Sequence, residues 1–251
     1  MKKLSYIFLF ICGLLSAQNE VVFDQANTLY NEGKFAEALD KYETILKGNQ
    51  HSAELYFNIA NAHYKLNHIA PSIYYYEKAA AMAPKDEEIM NNLAFANNMT
   101  IDAIENIPET SISKTLNKIK NVFSFDGWAL LSVISVVLFV LLYLAYYFTF
   151  ETGKKRLFFT GSVLSIFLTF TALAFTFHTY NVAKNNKPAI VFAQEAQVTS
   201  EPNSRSVEAF VLHEGTKVQV LDTVSHWKKI KLSDGKTGWI PETDIKLLNI
   251  F

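Results

Sequence analysis

The chain of 251 residues carries 23 Lys and Arg against 24 Asp and Glu, and this net charge of −1 argues against a nucleic-acid-binding protein held by a basic surface. Half of the residues are hydrophobic and only 19% are charged, below the roughly 25% usual in soluble domains. The single cysteine, Cys12, lies in the first segment, so removal of that segment excludes disulfides and cysteine-based metal sites. The composition therefore predicts that part of the apolar content lies in a membrane.

Residues 1–17 have the layout of a secretory signal peptide. A positive start precedes an apolar stretch over residues 4–15, and Ala17 ends a small-residue cleavage site. As a helix this stretch would rise about 18 Å, too short for a hydrocarbon core of about 30 Å. An uncleaved anchor and lipidation at Cys12 are the alternatives, and Ile11 before the cysteine disfavours lipidation.

Residues 18–107 contain a repeat with a period of 34 residues. Residues 31–42 align with residues 65–76, and the same shift relates Ala26 with Ala60 and Ala94, Phe35 with Ile69, and Tyr42 with Tyr76. These residues and this period resemble the tetratricopeptide repeat, an all-α helix–turn–helix unit. The resemblance implies repeats over about 19–52 and 53–86 and a third-repeat helix over 87–100. Gln50 departs from the family pattern, which has a closing Pro there.

The resemblance also implies a peptide-binding groove, because tetratricopeptide stacks hold peptides against the first helix of each repeat. Four side-chain amides are expected in this groove: Asn27, Asn58, Asn61 and Asn92. Amides can pair with an extended peptide backbone without demanding one sequence. The alternative is that these residues only suit solvated helix turns.

The partner of this groove is expected to be basic or neutral. Six Lys and thirteen Asp or Glu give residues 18–107 a net charge of −7. The family's carboxylate clamp needs cations at positions that are here Phe23, Glu88 and Asn92, so capture of a C-terminal carboxylate is not expected.

Two uncharged apolar runs, over residues 128–150 and 157–180, follow a linker over residues 108–127. Both exceed the roughly 18 residues that indicate a transmembrane helix. The loop over residues 151–156 carries three basic side chains, which the positive-inside tendency places in the cytoplasm. An exported first module and two spans then predict a multi-pass inner-membrane protein whose soluble modules are both periplasmic.

The second apolar run also contains a stripe of small residues. Gly161, Ser165 and Thr169 recur at four-residue spacing. Such a stripe suits the close approach of another helix.

Residues 189–251 change to the period of two that is typical of strands. Residues 217–221 and 227–232 alternate, and Ser233-Asp234-Gly235 is a hairpin turn. The order of Gly215-Thr216, Trp227 and Gly238-Trp239-Ile240 resembles the bacterial SH3 domain, a small all-β barrel. Such barrels bind peptides or cell-wall fragments through aromatic side chains, and Trp227 is the predicted surface residue, with Trp239 expected in the core.

The sequence carries no pattern of a catalytic or cofactor site. It contains neither a Gly-rich phosphate loop nor a nucleophile elbow, and the mature chain holds no Cys for a Cys–His peptidase. His63 and His68 are five residues apart, off a common helix face, so no metal pair is expected. A protein without enzyme activity, cofactor or metal is therefore predicted.

Taken together, the modules resemble the aerotolerance (Bat) operon tetratricopeptide proteins of the BatE type. This resemblance covers the whole chain and implies an inner-membrane complex with von Willebrand A-type Bat proteins in oxygen or stress tolerance. The predicted function is a scaffold that binds other membrane proteins through the repeats; a peptidoglycan-binding sensor or anchor acting through the SH3-like barrel is the alternative. The uneven charge distribution also predicts separate modules with separate partners.

Overall fold

The computed structural model describes residues 19–104, 118–119 and 122–248. The predicted signal peptide lies outside the described residues, as does most of the predicted linker over residues 108–127. The chain divides into two compact units, of which the first joins the helices before residue 105 with the strands after residue 186. The second unit holds the two long apolar helices.

Five helices, here called the helical region, open the described chain. Their bounds are 19–31 for α1, Phe35–Lys47 for α2, Ala53–Lys65 for α3, Ile69–Met82 for α4 and Glu87–Asn97 for α5. Gly33 and Asn67 turn the chain between α1 and α2 and between α3 and α4, both in the left-handed region, at φ of 79° and 60°. These two positions are 34 residues apart, so the predicted period extends to the turns.

Small and aromatic side chains fill the contacts between these helices, as the repeat pattern predicts. Ala26 and Ala60 are fully buried, and Tyr42 and Tyr76 are almost completely buried. Alanine lets neighbouring helix backbones approach, and each tyrosine buries a large ring in the remaining space. Ala94, the third position of the alanine series, is exposed on the last helix of the region.

The second unit is a hairpin of two helices long and apolar enough to cross a membrane: α6, Phe125–Phe148, and α7, Thr152–Asn185. Ser124 begins α6, since its hydroxyl accepts the Gly127 backbone N–H. Only residues 149–151 join the helices, so Lys154 and its two basic neighbours lie inside the first turns of α7 rather than in a loop over 151–156.

The small-residue stripe of α7 packs against α6 of the same chain. The Ser165 hydroxyl donates a hydrogen bond of 2.7 Å to the Ser135 carbonyl, and both residues are buried. A Cβ on Gly161 would lie 3.2 Å from a methyl of Leu142, so glycine allows a close approach there. The predicted helix partner of the stripe is therefore the first apolar helix itself.

Seven antiparallel strands, here called the sheet region, follow α7. They are β1 Pro188–Val191, β2 Glu195–Thr199, β3 Glu208–His213, β4 Lys217–Val224, β5 Trp227–Lys231, β6 Thr237–Pro241 and β7 Ile245–Leu247. The order across the sheet is β3-β2-β6-β5-β4-β1-β7. Its core consists of aliphatic side chains such as Val198, Ile230 and Ile240, which are fully buried.

Candidate binding surfaces

The predicted groove asparagines form hydrogen-bonded pairs that repeat along the helical region. Asn27 Oδ1 accepts a bond of 2.6 Å from the Tyr42 hydroxyl and one of 3.0 Å from Asn58 Nδ2. Burial, followed by the charge of neighbouring groups, raises the pKa of Tyr42 to about 12, so its hydroxyl remains a donor at neutral pH. One amide oxygen therefore satisfies two donors from two other helices.

The same arrangement recurs 34 residues later. Asn61 Oδ1 accepts from the Tyr76 hydroxyl and, at 3.2 Å, from Asn92 Nδ2. Burial is also the main cause that raises the pKa of Tyr76. These internal bonds give the asparagines a structural role that the sequence interpretation did not include, since it assigned them only to a ligand or to water.

A concave cavity of about 350 Å³ lies beside the second of these pairs. It is lined by Tyr30, Asn61, Tyr64, Lys65, Tyr76, Glu88, Asn92 and Phe95. Two of the four predicted asparagines therefore line it, whereas Asn27 and Asn58 form the equivalent pair one repeat earlier. The lining tyrosines were not predicted, although Tyr30 and Tyr64 are related by the same 34-residue shift.

The cavity carries charges of both signs. Glu88 contributes an anion and Lys65 a cation, while Asn92 is committed to Asn61. Phe95 keeps 61% of its surface exposed, so it offers an apolar contact at the rim. Such a surface suits an extended chain with amide, apolar and cationic groups.

A second candidate surface is the outer face of β5 and β6. Trp227 pairs with Pro241 and Lys229 pairs with Trp239 across these strands. Residues paired across antiparallel strands share a face, and alternate residues along a strand point the same way. Both tryptophans therefore lie on one face, opposite the buried Ile230.

Both tryptophans on this face are partly exposed. The Lys229 ammonium group lies 5.9 Å from the centre of the Trp239 ring. The expectation that Trp239 belongs to the core is wrong, because its register places it opposite the core residues. Trp227, the predicted surface residue, has the same intermediate exposure as Trp239.

The helical region and the sheet region share a contact, here called the junction. At its centre the Asp102 carboxylate accepts bonds from the His213 backbone N–H at 2.7 Å, the His213 ring at 2.7 Å and the Thr216 hydroxyl at 2.6 Å. Burial alone would raise the pKa of Asp102, but the bonds from Thr216 and His213 outweigh it and hold the pKa below its usual value.

Apolar packing and charge extend the junction around Asp102. Tyr74 shares a buried cluster with Ile190 and Leu248 and donates a bond of 3.4 Å to the Leu247 carbonyl. The Lys246 ammonium group lies 4.5 Å from the centre of the Tyr74 ring. The two modules that the charge distribution predicted to be separate therefore pack together, because complementary apolar surfaces do not show in net charge.

The two histidines excluded as a metal pair are in contact. His63 lies in the last turn of α3 and His68 immediately precedes α4, and their Nδ1 atoms are 3.1 Å apart. The prediction that they are separated is wrong, because it treated both as members of one helix. Within residues 19–104, 118–119 and 122–248, no group of three or more His, Cys, Asp or Glu side chains is arranged to hold a metal ion.

Comparison with known proteins adds no assignment to these surfaces. No protein-family model matches the chain, and no curated protein has significant sequence similarity to it.

Proposed function

We propose that this protein is a non-catalytic membrane scaffold whose helical region, a short stack of tetratricopeptide-type repeats, binds a partner in its concave cavity. The observation that carries the proposal is the cavity of about 350 Å³ lined by amide and tyrosine side chains. Its lining combines hydrogen-bonding groups with an exposed phenyl ring, which suits a peptide segment held by its backbone. The net charge of −7 over residues 18–107 favours a basic or neutral segment.

The partners proposed for this cavity are membrane proteins of the von Willebrand A-type Bat class. This choice follows from the resemblance of the module order to BatE-type proteins, with a role in oxygen or stress tolerance. No cofactor or catalytic group takes part in the proposed activity.

The scaffold function is tested by changing the cavity without disturbing the internal asparagine bonds. Phe95→Ser removes an exposed apolar ring that lines the cavity, and we expect binding to weaken about tenfold, which corresponds to about 1.4 kcal/mol. Met90→Ser is the control, because Met90 is exposed on the same helix and does not line the cavity. The measurement is co-purification of von Willebrand A-type Bat proteins from gently solubilised membranes. Equal recovery with both variants would contradict the proposal.

We also propose that the protein resides in the inner membrane, with the helical and sheet regions in the periplasm. The junction supports a common side, since two segments that pack together through Asp102 and His213 must lie in the same compartment. Alkaline phosphatase fused at Glu105 or after Phe251 should be active, and a fusion at Lys155 should be inactive. An active enzyme at Lys155 would reverse this topology.

The second candidate function is binding of peptidoglycan by the sheet region, acting as an SH3-like domain in a cell-envelope sensor or anchor. The specific observation is that Trp227 and Trp239 share one partly exposed face with Lys229. Aromatic faces can stack on sugar rings, and a lysine can pair with peptide carboxylates. Retention of the full chain on peptidoglycan, lost in Trp227→Ala but not in Phe95→Ser, would favour this function over the scaffold.

A further inference from the structure

Two imidazoles lie in contact at the turn between α3 and α4, with ring centroids 5.4 Å apart and an interplanar angle of 49°. The His68 backbone N–H donates a bond of 2.9 Å to the His63 carbonyl, and Asn67 between them takes a left-handed φ of 60°. The turn therefore brings together the last residues of one helix and the first of the next. This places His63 Nδ1 and His68 Nδ1 at 3.1 Å from each other.

The distance between the two Nδ1 atoms matches that of two nitrogen ligands on one metal ion. Two nitrogen ligands that each lie about 2.0–2.1 Å from one ion, at angles between square and tetrahedral, are roughly 2.9–3.4 Å apart. The two Nδ1 atoms fall within this range. Without an ion, the same two nitrogens share one proton, because two N–H groups cannot point at each other.

We propose that His63 and His68 together bind one first-row transition-metal ion, Cu²⁺ most tightly, with water completing its coordination. A pair of imidazoles without thiolates or carboxylates suits Cu²⁺, Ni²⁺ or Zn²⁺ and disfavours Mg²⁺ and Ca²⁺. Within this series the affinity for a nitrogen site is highest for Cu²⁺.

The surrounding residues fix the orientation of the His63 ring and leave the His68 ring free to rotate. The His63 ring stacks on Tyr75 with a centroid distance of 5.7 Å and an interplanar angle of 8°, so its orientation is set by packing. Burial first, and then His68 and Lys246, lower the pKa of His63 to about 4, which keeps its nitrogen unprotonated at neutral pH. His68 is exposed, so its ring can rotate toward an incoming ion and water can reach the remaining positions.

The nearby charges affect the affinity of the site for a divalent ion. Lys246 on β7 acts on His63 and opposes a dication, and Lys78 on α4 in turn acts on Lys246. Glu43 on α2 partly offsets the charge of Lys246. A site with two protein ligands and adjacent cations should exchange its ion readily instead of retaining it through purification.

The test uses the full chain purified in detergent, with Cu²⁺ added as the probe. We expect about one ion per chain with the electron paramagnetic resonance pattern of two imidazole nitrogens. His63→Gln and His68→Gln should each reduce this pattern to that of one imidazole or abolish binding. Ni²⁺ and Zn²⁺ should compete with Cu²⁺, and Mg²⁺ should not.

His68→Gln is the decisive variant, because His68 is exposed and its replacement leaves the packing on Tyr75 in place. His226→Gln is the matched control, since His226 is an exposed histidine of the sheet region whose ring lies 3.2 Å from the Glu242 carboxylate. Unchanged Cu²⁺ binding by His68→Gln overturns the proposal. Loss of the two-imidazole pattern in His226→Gln overturns it as well.

Discussion

The contact between α6 and α7 and the junction between the helical and sheet regions each join segments of one chain, but with different side chains. Between α6 and α7 the buried polar groups are hydroxyls, such as Ser165, which donates to the Ser135 carbonyl. At the junction a carboxylate, Asp102, accepts three bonds, and a buried cluster that includes Tyr74 and Ile190 packs the two regions together.

The proposed location of the hairpin in a membrane and of the junction in water accounts for this difference. In water, burial of apolar surface stabilises the junction, and the partly buried carboxylate is tolerated because it accepts bonds from three donors. In lipid, apolar surface gains little from leaving the tails, so close backbone approach and hydrogen bonds remain to hold two helices together. We therefore expect the junction to lose stability when its carboxylate is protonated or when a side chain in it is enlarged. The hairpin should lose little stability when a single side chain is changed.

The largest effect is expected at Gly215, in the turn before β4. Its φ is 87°, and an added Cβ would lie 2.9 Å from side-chain carbons of Ile69, Ile73 and Thr100. Gly215→Ala should therefore destabilise the junction by about 2–4 kcal/mol, from backbone strain and overpacking together. Hydrogen exchange of peptides from α4 and from the sheet, measured on the full chain, reports this opening.

Gly33→Ala is the matched control for this change. Gly33 has a φ of 79°, and nothing lies within 4 Å of an added Cβ. Gly33→Ala should cost only the energy of backbone strain, about 1 kcal/mol, and should leave the junction closed. If both variants open the sheet contact equally, packing against the helices does not hold the junction.

The second effect concerns the carboxylate of Asp102. Asp102→Asn removes an ionised acceptor of three bonds and should cost about 1.5–3 kcal/mol at neutral pH. Because the pKa of Asp102 is lowered in the folded protein, its contribution is present above the unfolded pKa of about 4 and is lost as the pH falls through the folded value. Hydrogen exchange at the junction between pH 7 and pH 3 measures both effects.

The control for Asp102 is Asp234→Asn. Asp234 also accepts a backbone N–H, from Lys236 at 2.9 Å, but it lies in an exposed turn of the sheet region. Its replacement should leave the junction unaltered. A junction equally pH-dependent with and without Asp102 would assign the titration to another group.

A third effect, at a milder pH, should lower the stability of α3 and α4 without affecting the hairpin of α6 and α7. The pKa of His63 falls from 6.5 to about 4 on folding, mainly through burial, so only the unfolded chain takes up this proton between those values. The contribution of His63 to the free energy of unfolding is therefore fully present above pH 6.5 and decreases as the pH falls toward 4. Allowing for partial exposure, the loss should be on the order of 1–2 kcal/mol in the metal-free protein.

Hydrogen exchange of α3 and α4 at pH 7 and pH 5 measures this loss, and His63→Gln should remove the difference. Peptides of α6 and α7 should show no corresponding change. The prediction is contradicted if hydrogen exchange depends on pH in the hairpin and not in α3 and α4.

The smallest effect is expected inside the hairpin. Ser165→Ala removes the bond to the Ser135 carbonyl and should weaken the α6–α7 contact by about 0.6 kcal/mol, the average for such bonds between membrane helices. Thr171→Ala is the control, because the Thr171 hydroxyl is exposed and bonds only within its own helix, to Phe167. Steric trapping of the hairpin measures both; a loss as large as that of Asp102→Asn would remove the distinction between the contacts.

The sequence predicts local features of this fold well. The 34-residue period anticipates the burial of Tyr42 and Tyr76, and the uncharged runs predict the two apolar helices. Periodicity reports which residues share a face, and hydropathy reports long apolar helices, so both are readable from neighbouring residues alone.

Pairings across long sequence separations were not predictable in the same way. Asp102 meets His213 111 residues later, and nothing in the residues around either one indicates the other. The place of Trp239 depends on the register of β5 with β6, since a shift of one residue would turn it inward. The cavity illustrates both cases, because the repeat predicts Asn61 and Asn92, whereas their mutual bond emerges only when the helices pack.

The junction also sets an order of events during synthesis. The helical region leaves the ribosome first, but the strands that cover Ile73 and Tyr74 follow only after both apolar helices have been made. At about 5–20 residues per second, this interval is on the order of ten seconds. During that time an apolar surface on the nascent chain stays uncovered, so a truncated product that ends after α7 should depend on chaperones more than the complete protein does.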